Sequence, residues 1–160
     1  LGSVQHVERP QESVRLLEID PELGLRLPPA EIAHARVELR ARVTSLPCGR
    51  WEVLHDEGHL SRLGFLMLEG VLGRDVILAG TTATELLGEG DVLQPWVPTR
   101  EDGLVRYHVV WHVLSPVRLA ILDEAFARSL ARWPQVMGAL LERAVRRTLQ
   151  MSIHQALLQL

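Results

Sequence analysis

The sequence predicts a mainly β protein: an antiparallel β-roll of the jelly-roll type with flanking helices, followed by a long C-terminal helix. Three observations carry that reading. Between Trp51 and Val117, short apolar or alternating runs are broken every few residues by Gly, Asp and Glu turns, with no long helical pattern. After the last such run, Asp123 stands where a helix N-cap is expected. From Pro134 onward, apolar residues recur at helical spacing to the end of the chain. The chain divides accordingly into an N-terminal arm and helix (1–46), a β-roll with a short helix (47–132) and a terminal helix (133–160).

From Val4 to Leu27 the sequence is mixed, with a turn at Ile19-Asp20-Pro21-Glu22 and a stop at Pro28-Pro29, and reads as a loosely packed arm. A helix begins after Pro29, carrying Ile32, Ala33 and Val37, and hands over to a strand around Arg42-Val43-Thr44. Pro47-Cys48-Gly49 closes that strand. The roll strands are expected at Trp51–Leu54, Leu63–Leu68, Val71-Leu72, Val76–Leu78, Leu86-Leu87, Val92-Leu93, Val105–Leu114 and Leu119–Leu122. Turns separate them at Asp56-Glu57-Gly58, Glu69-Gly70, Ala79-Gly80, Gly88–Asp91 and Asp102-Gly103. A short helix follows Asp123 through Phe126 to Arg132.

Pro134 opens the final helix at the position where its missing N–H costs nothing. The apolar stripe through Val136, Met137, Leu140, Leu141, Ala144, Val145, Thr148 and Met151 is wider than one supporting sheet needs. A helix of this length spans about 40 Å and overhangs a domain of this size. It is therefore expected to pair two copies of the chain, through Met137, Leu141, Ala144, Thr148 and Met151. Arg143, Arg146 and Arg147 are expected on its solvated face.

At 160 residues the chain is long enough for a real core. The net charge of -3, without a sustained Lys/Arg stripe, disfavours direct nucleic-acid binding. The single cysteine, Cys48, excludes an intramolecular disulfide and a protein-held iron-sulfur cluster. No apolar run approaches the roughly 18 residues of a membrane span. The opening Leu1-Gly2-Ser3-Val4-Gln5 lacks the regions of a signal peptide, so a cytoplasmic protein without membrane contact is expected.

The order and spacing of these pieces, Pro47-Cys48-Gly49-Arg50-Trp51, His55–Gly58, Leu63–Gly70, Gly90-Asp91-Val92-Leu93, Leu119–Phe126 and Trp133-Pro134, resemble the cyclic-nucleotide-binding domain of the bacterial Crp/Fnr transcription regulators. The likeness runs from about Ala41 to Leu160. It implies a sensor whose β-roll reports through a dimer helix to a C-terminal helix-turn-helix, with DNA bound only through that further domain. It also implies where the ligand pocket would lie: Gln94, Pro95, Trp96, Arg106, Tyr107 and His108 around the ligand loop, and Ser152 on the dimer helix. Nucleotide-binding members open this loop with Gly-Glu-Leu and close it with Arg-Ser/Thr-Ala, the Glu taking the ribose and the Arg the phosphate. Here Gln94-Pro95-Trp96 stands at the opening; Pro95 brings no carboxylate and no N–H. Arg106 falls near the phosphate-binding Arg, and Met151-Ser152 replaces the family's Thr-Ser pair, so cyclic nucleotides are disfavoured as ligands. The resemblance implies an unidentified small-molecule effector, with haem, another sensor chemistry of the family, left open.

The residues hold a second reading of a different class, a stand-alone cupin-like protein binding a metal or small ligand on the same jelly-roll scaffold. His55 and His59 bracket a turn, but the His-x-His pair of that fold is missing. His108 and His112 share a strand face about 13 Å apart, too far to bind one metal unaided. Trp96, Tyr107 and Trp111 gather near the ligand loop, where they line a pocket or, in the case of Trp111 on an alternating strand, fill the core. The serines lack a nucleophile elbow, Cys48 lacks a placed His, and no phosphate-binding glycine loop occurs, so no enzyme and no metal site is expected.

Overall fold

The computed structural model describes residues 12–52, 63–94 and 107–158. Within them, seven strands form one antiparallel sheet: β1 (Ser13–Arg15), β2 (Arg40–Leu46), β3 (Gly49–Trp51), β4 (Phe65–Leu78), β5 (Thr81–Leu87), β6 (Val92–Leu93) and β7 (Tyr107–Ile121). The main path runs β1-β2-β7-β4-β5, with β3 added to β7 and β6 to β4. Four α-helices accompany it: α1 (Leu16–Ile19), α2 (Pro29–Glu38), α3 (Glu124–Leu130) and α4 (Pro134–Leu158), with a 3-10 turn at Pro21–Gly24. This is the β-roll with a long terminal helix that the sequence predicts.

The spine of the roll is the pairing of β4 with β7, which are 14 and 15 residues long. The sequence reads as breaks at Glu69-Gly70 and before Leu119, but each strand runs through. Both breaks are bends. Gly70 has φ 95°, a backbone conformation disfavoured for any side chain, and a β-carbon there would collide with the Pro116 carbonyl. Pro116 lies in the same irregular stretch, where the register shifts between Met67 and Leu72. The Val71 amide donates instead to Ser115 Oγ at 2.9 Å. The two strands thus bend together, and each serves both halves of the sheet.

Above the bend the sheet is buried on both faces. Leu66, Leu68, Val92 and Ala120 face the helices, while Phe65, Met67, Leu93 and Leu119 face the roll interior. Strict alternation between two apolar cores explains why Phe65-Leu66-Met67-Leu68 is apolar throughout rather than at every second position. The helix-side core takes in Phe126 and Leu130 of α3, and Trp133, Val136 and Leu140 around the start of α4. Asp123 caps α3 by accepting from the Phe126 amide at 2.9 Å, as its position predicts, and also pairs with Arg42.

The N-terminal segment is not a loose arm. Leu16, Leu17, Leu23 and Leu27 are buried in the helix-side core, the Leu16 amide donates to the Leu39 carbonyl at 2.9 Å, and β1 extends the sheet beside β2. Leucines spread over a four-residue helix and a 3-10 turn show no helical period, so only their burial reveals them. The expected strand at Trp51–Leu54 is seen as β3, beginning at Gly49; Val53 and Leu54 lie outside the described residues.

Replacing Gly70 with Ala combines a positive φ with a backbone collision, and is expected to cost about 3 kcal/mol of stability. The drop in the urea midpoint measures it, and Gly80→Ala, at a turn with open space around it, serves as the milder reference.

Candidate functional site

The Gly88–Asp91 turn joins β5 to β6 and leads toward the predicted ligand loop. Asp91 Oδ2 accepts from the Gly88 amide at 2.8 Å, and the Asp91 amide returns a bond to the Gly88 carbonyl at 3.1 Å. Gly90 supplies the positive φ of 88° that the turn requires. Its amide donates to the Met67 carbonyl at 2.8 Å, and the Met67 amide donates to the Asp91 carbonyl at 2.9 Å, so the turn is stitched to β4.

The same turn is gripped by α4. Arg143 makes a bidentate pair with Asp20, one arm at 2.9 Å from Nη2 to Oδ1 and the other from Nη1 to Oδ2, and Nη1 also donates to the Gly90 carbonyl at 3.1 Å. Glu22 lies 3.6 Å away. The Asp20 hydrogen bonds, with the charges of Asp20, Glu22 and Asp91, raise the Arg143 pKa above its ordinary value against the opposing effect of burial. One helical turn on, Arg147 Nε lies 3.1 Å from Glu85 Oε1, without the alignment of a hydrogen bond. Its other nitrogens approach Asp91 at 3.9 Å and the Leu86 carbonyl. Both side chains are only 16% exposed. The expectation of a solvated arginine face is therefore wrong for Arg143 and Arg147; Arg146 is exposed. Their carboxylate partners lie far away in sequence, where no local pattern points to them.

A cleft of about 590 Å³ opens along this seam, lined by Ile19–Glu22, Glu89–Asp91 and the arginine face of α4. Among the described residues, no aromatic side chain lines it. Its buried charges are already paired with one another, so it is a seam between elements, not a vacant binding pocket.

The roll interior has a different chemistry. Trp51 packs edge-on against Phe65 and Trp111, each at 5.9 Å between ring centroids. The Arg74 guanidinium sits 5.8 Å above the Trp111 ring and lies 3.4 Å from Glu85, the carboxylate that also meets Arg147. Glu85 thus links the roll wall to α4. His112 pairs with Asp75 at 3.2 Å on the outer side, where Asp75 also accepts from Thr84.

Of the residues predicted to form a ligand pocket, Pro95, Trp96 and Arg106 lie outside the described residues. Gln94 follows β6, and its side-chain amide donates to the Leu63 carbonyl at 3.3 Å. Tyr107 and His108 open β7, with His108 exposed. Ser152 lies on α4, as do Thr148 and Met151. Of the residues expected at a dimer interface, Met137 and Ala144 are half-buried against the helix-side core, while Leu141 is 52% exposed. Val145 and Leu149 are equally exposed and continue the row from Leu141 at a spacing of four. Trp111 is core. His55 and His59 lie outside the described residues, and among the described ones no three His, Cys, Asp or Glu side chains converge as metal ligands. No described helix is long and apolar enough to cross a membrane.

No family model matches the chain, and no curated protein matches it by sequence. Solved structures do. Oxidized CprK in complex with o-chlorophenolacetic acid superposes with a TM-score of 0.54 at 12% identity, covering 82% of this chain and 53% of that one. The Thermus thermophilus catabolite activator protein gives 0.52 at 22% identity, covering 86% and 62%. The fold is that of the Crp/Fnr-type cyclic-nucleotide-binding-like domains. The chain spans little more than half the length of these Crp/Fnr-type proteins. At such identities the likeness establishes the roll and its helix, and the chemistry inside is this chain's own.

Asp91→Ala removes the acceptor for the Gly88 amide and one carboxylate facing Arg147. It is expected to lower stability by about 1–2 kcal/mol, with the far-ultraviolet β signal retained, as read by urea denaturation.

Proposed function

We propose that this chain is the sensor and dimerisation module of a Crp/Fnr-type transcription regulator, in which the state of the β-roll is passed to α4. The observation that carries the proposal is the Crp/Fnr-type roll joined to a 25-residue helix with an unpaired apolar row at Leu141, Val145 and Leu149. A helix serving a single domain has no use for that row. A second copy of α4, related by a two-fold axis, would bury it. DNA binding in this reading belongs to a separate helix-turn-helix domain, in keeping with the net charge of -3 over residues 1–160.

The effector in this reading is a small molecule other than a cyclic nucleotide. Gln94 carries no carboxylate for a ribose and is engaged with Leu63, and Pro95 has no amide to donate to a phosphate. The described roll wall carries the half-buried Trp51 indole and the Arg74 guanidinium, to which an aromatic acid is better suited. CprK, of similar fold, has been crystallised with such an acid, o-chlorophenolacetic acid. An effector of this kind acts only by preferring one arrangement of roll and helix over the other.

Light scattering tests the dimer: the wild-type chain is expected to be dimeric, and Val145→Glu with Leu149→Glu to give a monomer with unchanged β signal. A wild-type monomer at high micromolar concentration counts against the proposal.

Calorimetry tests the pocket. Cyclic AMP and cyclic GMP are expected to show no low-micromolar binding, which would require about 8 kcal/mol, whereas o-chlorophenolacetic acid is the positive probe. Low-micromolar binding of cyclic AMP would show that the loop has found other donors.

A further inference from the structure

The inward face of α4 changes character part-way along. Val136 and Leu140 are buried in the helix-side core, and the line they begin continues at helical spacing as Arg143 and Arg147. Up to Leu140 the helix is held by apolar contact. Beyond it the anchors are two guanidinium groups, the exposed pair of Glu142 with Arg26 at 2.9 Å and the half-buried Ala144, while Leu141, Val145 and Leu149 point away from the domain. The arginines grip different elements. Arg143 holds Asp20 of the N-terminal turn and the Gly90 carbonyl, and Arg147 faces Glu85 of β5 and Asp91.

From this partition we infer that α4 is a two-part helix: an apolar anchor at Pro134–Leu140, and from Leu141 onward a segment held to the roll by an electrostatic latch that opens independently of the anchor. The two kinds of contact respond to different things. Apolar burial is non-directional and tolerates small shifts, whereas a bidentate guanidinium pair is lost when its partner moves by an ångström or so. The latch partners Gly90 and Asp91 belong to the turn just before β6, and β6 leads into the loop where the ligand pocket is expected. A displacement of the Gly88–Asp91 turn therefore acts directly on Arg143 and Arg147. The latch itself does not depend on the sensor reading, which bears only on what opens it. The raised pKa of Arg143 keeps its charge throughout the neutral range, so its contribution is present below the ordinary arginine pKa and is lost only at more alkaline pH than that.

Hydrogen–deuterium exchange of the whole chain tests the inference, comparing wild type with Arg143→Gln/Arg147→Gln. The expected result is exchange at least tenfold faster in peptides from 141–150, with 134–140 and the β4–β7 spine unchanged. Unchanged exchange in 141–150, or acceleration of 134–140 in step with it, overturns the inference, because α4 would then dock as one unit. If the double variant does not fold, wild type is compared at about 0.1 M and about 1 M salt, where the screening length falls from about 10 to about 3 Å. Faster exchange confined to 141–150 supports the latch, and no acceleration there overturns it.

Discussion

The pairing of β4 with β7 is the constraint on which the rest of the structure depends. These strands touch every other strand of the sheet except β1, which reaches them through β2. Their bend at Gly70 and Pro116 divides the molecule into a helix-covered region and a more open roll. Above the bend both sheet faces must be apolar, because α3 and α4 cover one and the roll interior lies behind the other. Below it one face meets water, and polar pairs such as His112 with Asp75 appear there. One local irregularity, shared between two strands far apart in sequence, thus sets where burial is two-sided and where the wall is free to carry Arg74 and Glu85.

From this frame the route between roll and helix can be followed through individual bonds. Gly90 and Asp91 are tied to β4 at Met67 and to α4 at Arg143 and Arg147, so the turn belongs mechanically to both. Glu85 provides a second connection, from Arg74 above the Trp111 ring to Arg147. Neither link would be strong as an exposed ion pair. Partial burial, bidentate geometry at Asp20 and the convergence of several carboxylates on two guanidinium groups make the arrangement specific, since removing Asp20 takes from the half-buried Arg143 its bidentate partner.

How much of this was legible in the sequence follows from how local each signal is. The Asp123 cap, the Pro134 helix start and the Gly88–Asp91 turn are made within a few residues, and each stands where the sequence places it. A glycine turn at Gly70 alone ends a strand; only its position opposite Pro116 in the β4–β7 pairing turns that stop into a bend. The N-terminal leucines were hidden by helical pieces too short to show a period. The arginines were misread for a related reason: Arg143 meets Asp20 across 123 residues, and Arg147 meets the Leu86 carbonyl across 61. The expected ligand pocket is the least legible part, since Pro95, Trp96 and Arg106 lie outside the described residues.

That misreading is itself informative about α4. A helix on the surface of a single domain ordinarily turns its leucines inward and its arginines to water. Beyond Leu140 this helix does the reverse: Arg143 and Arg147 are turned toward the domain, and Leu141, Val145 and Leu149 are turned outward. Burying a guanidinium is costly unless carboxylates meet it, and three separate elements supply them, so the charges of the inward face are paired as they stand. The outward face is not. Three exposed aliphatic side chains in one row gain nothing from water and contribute nothing to the fold of the chain that carries them. The same stretch of helix is therefore bonded to its own roll by charge on one side and carries an exposed apolar row on the other.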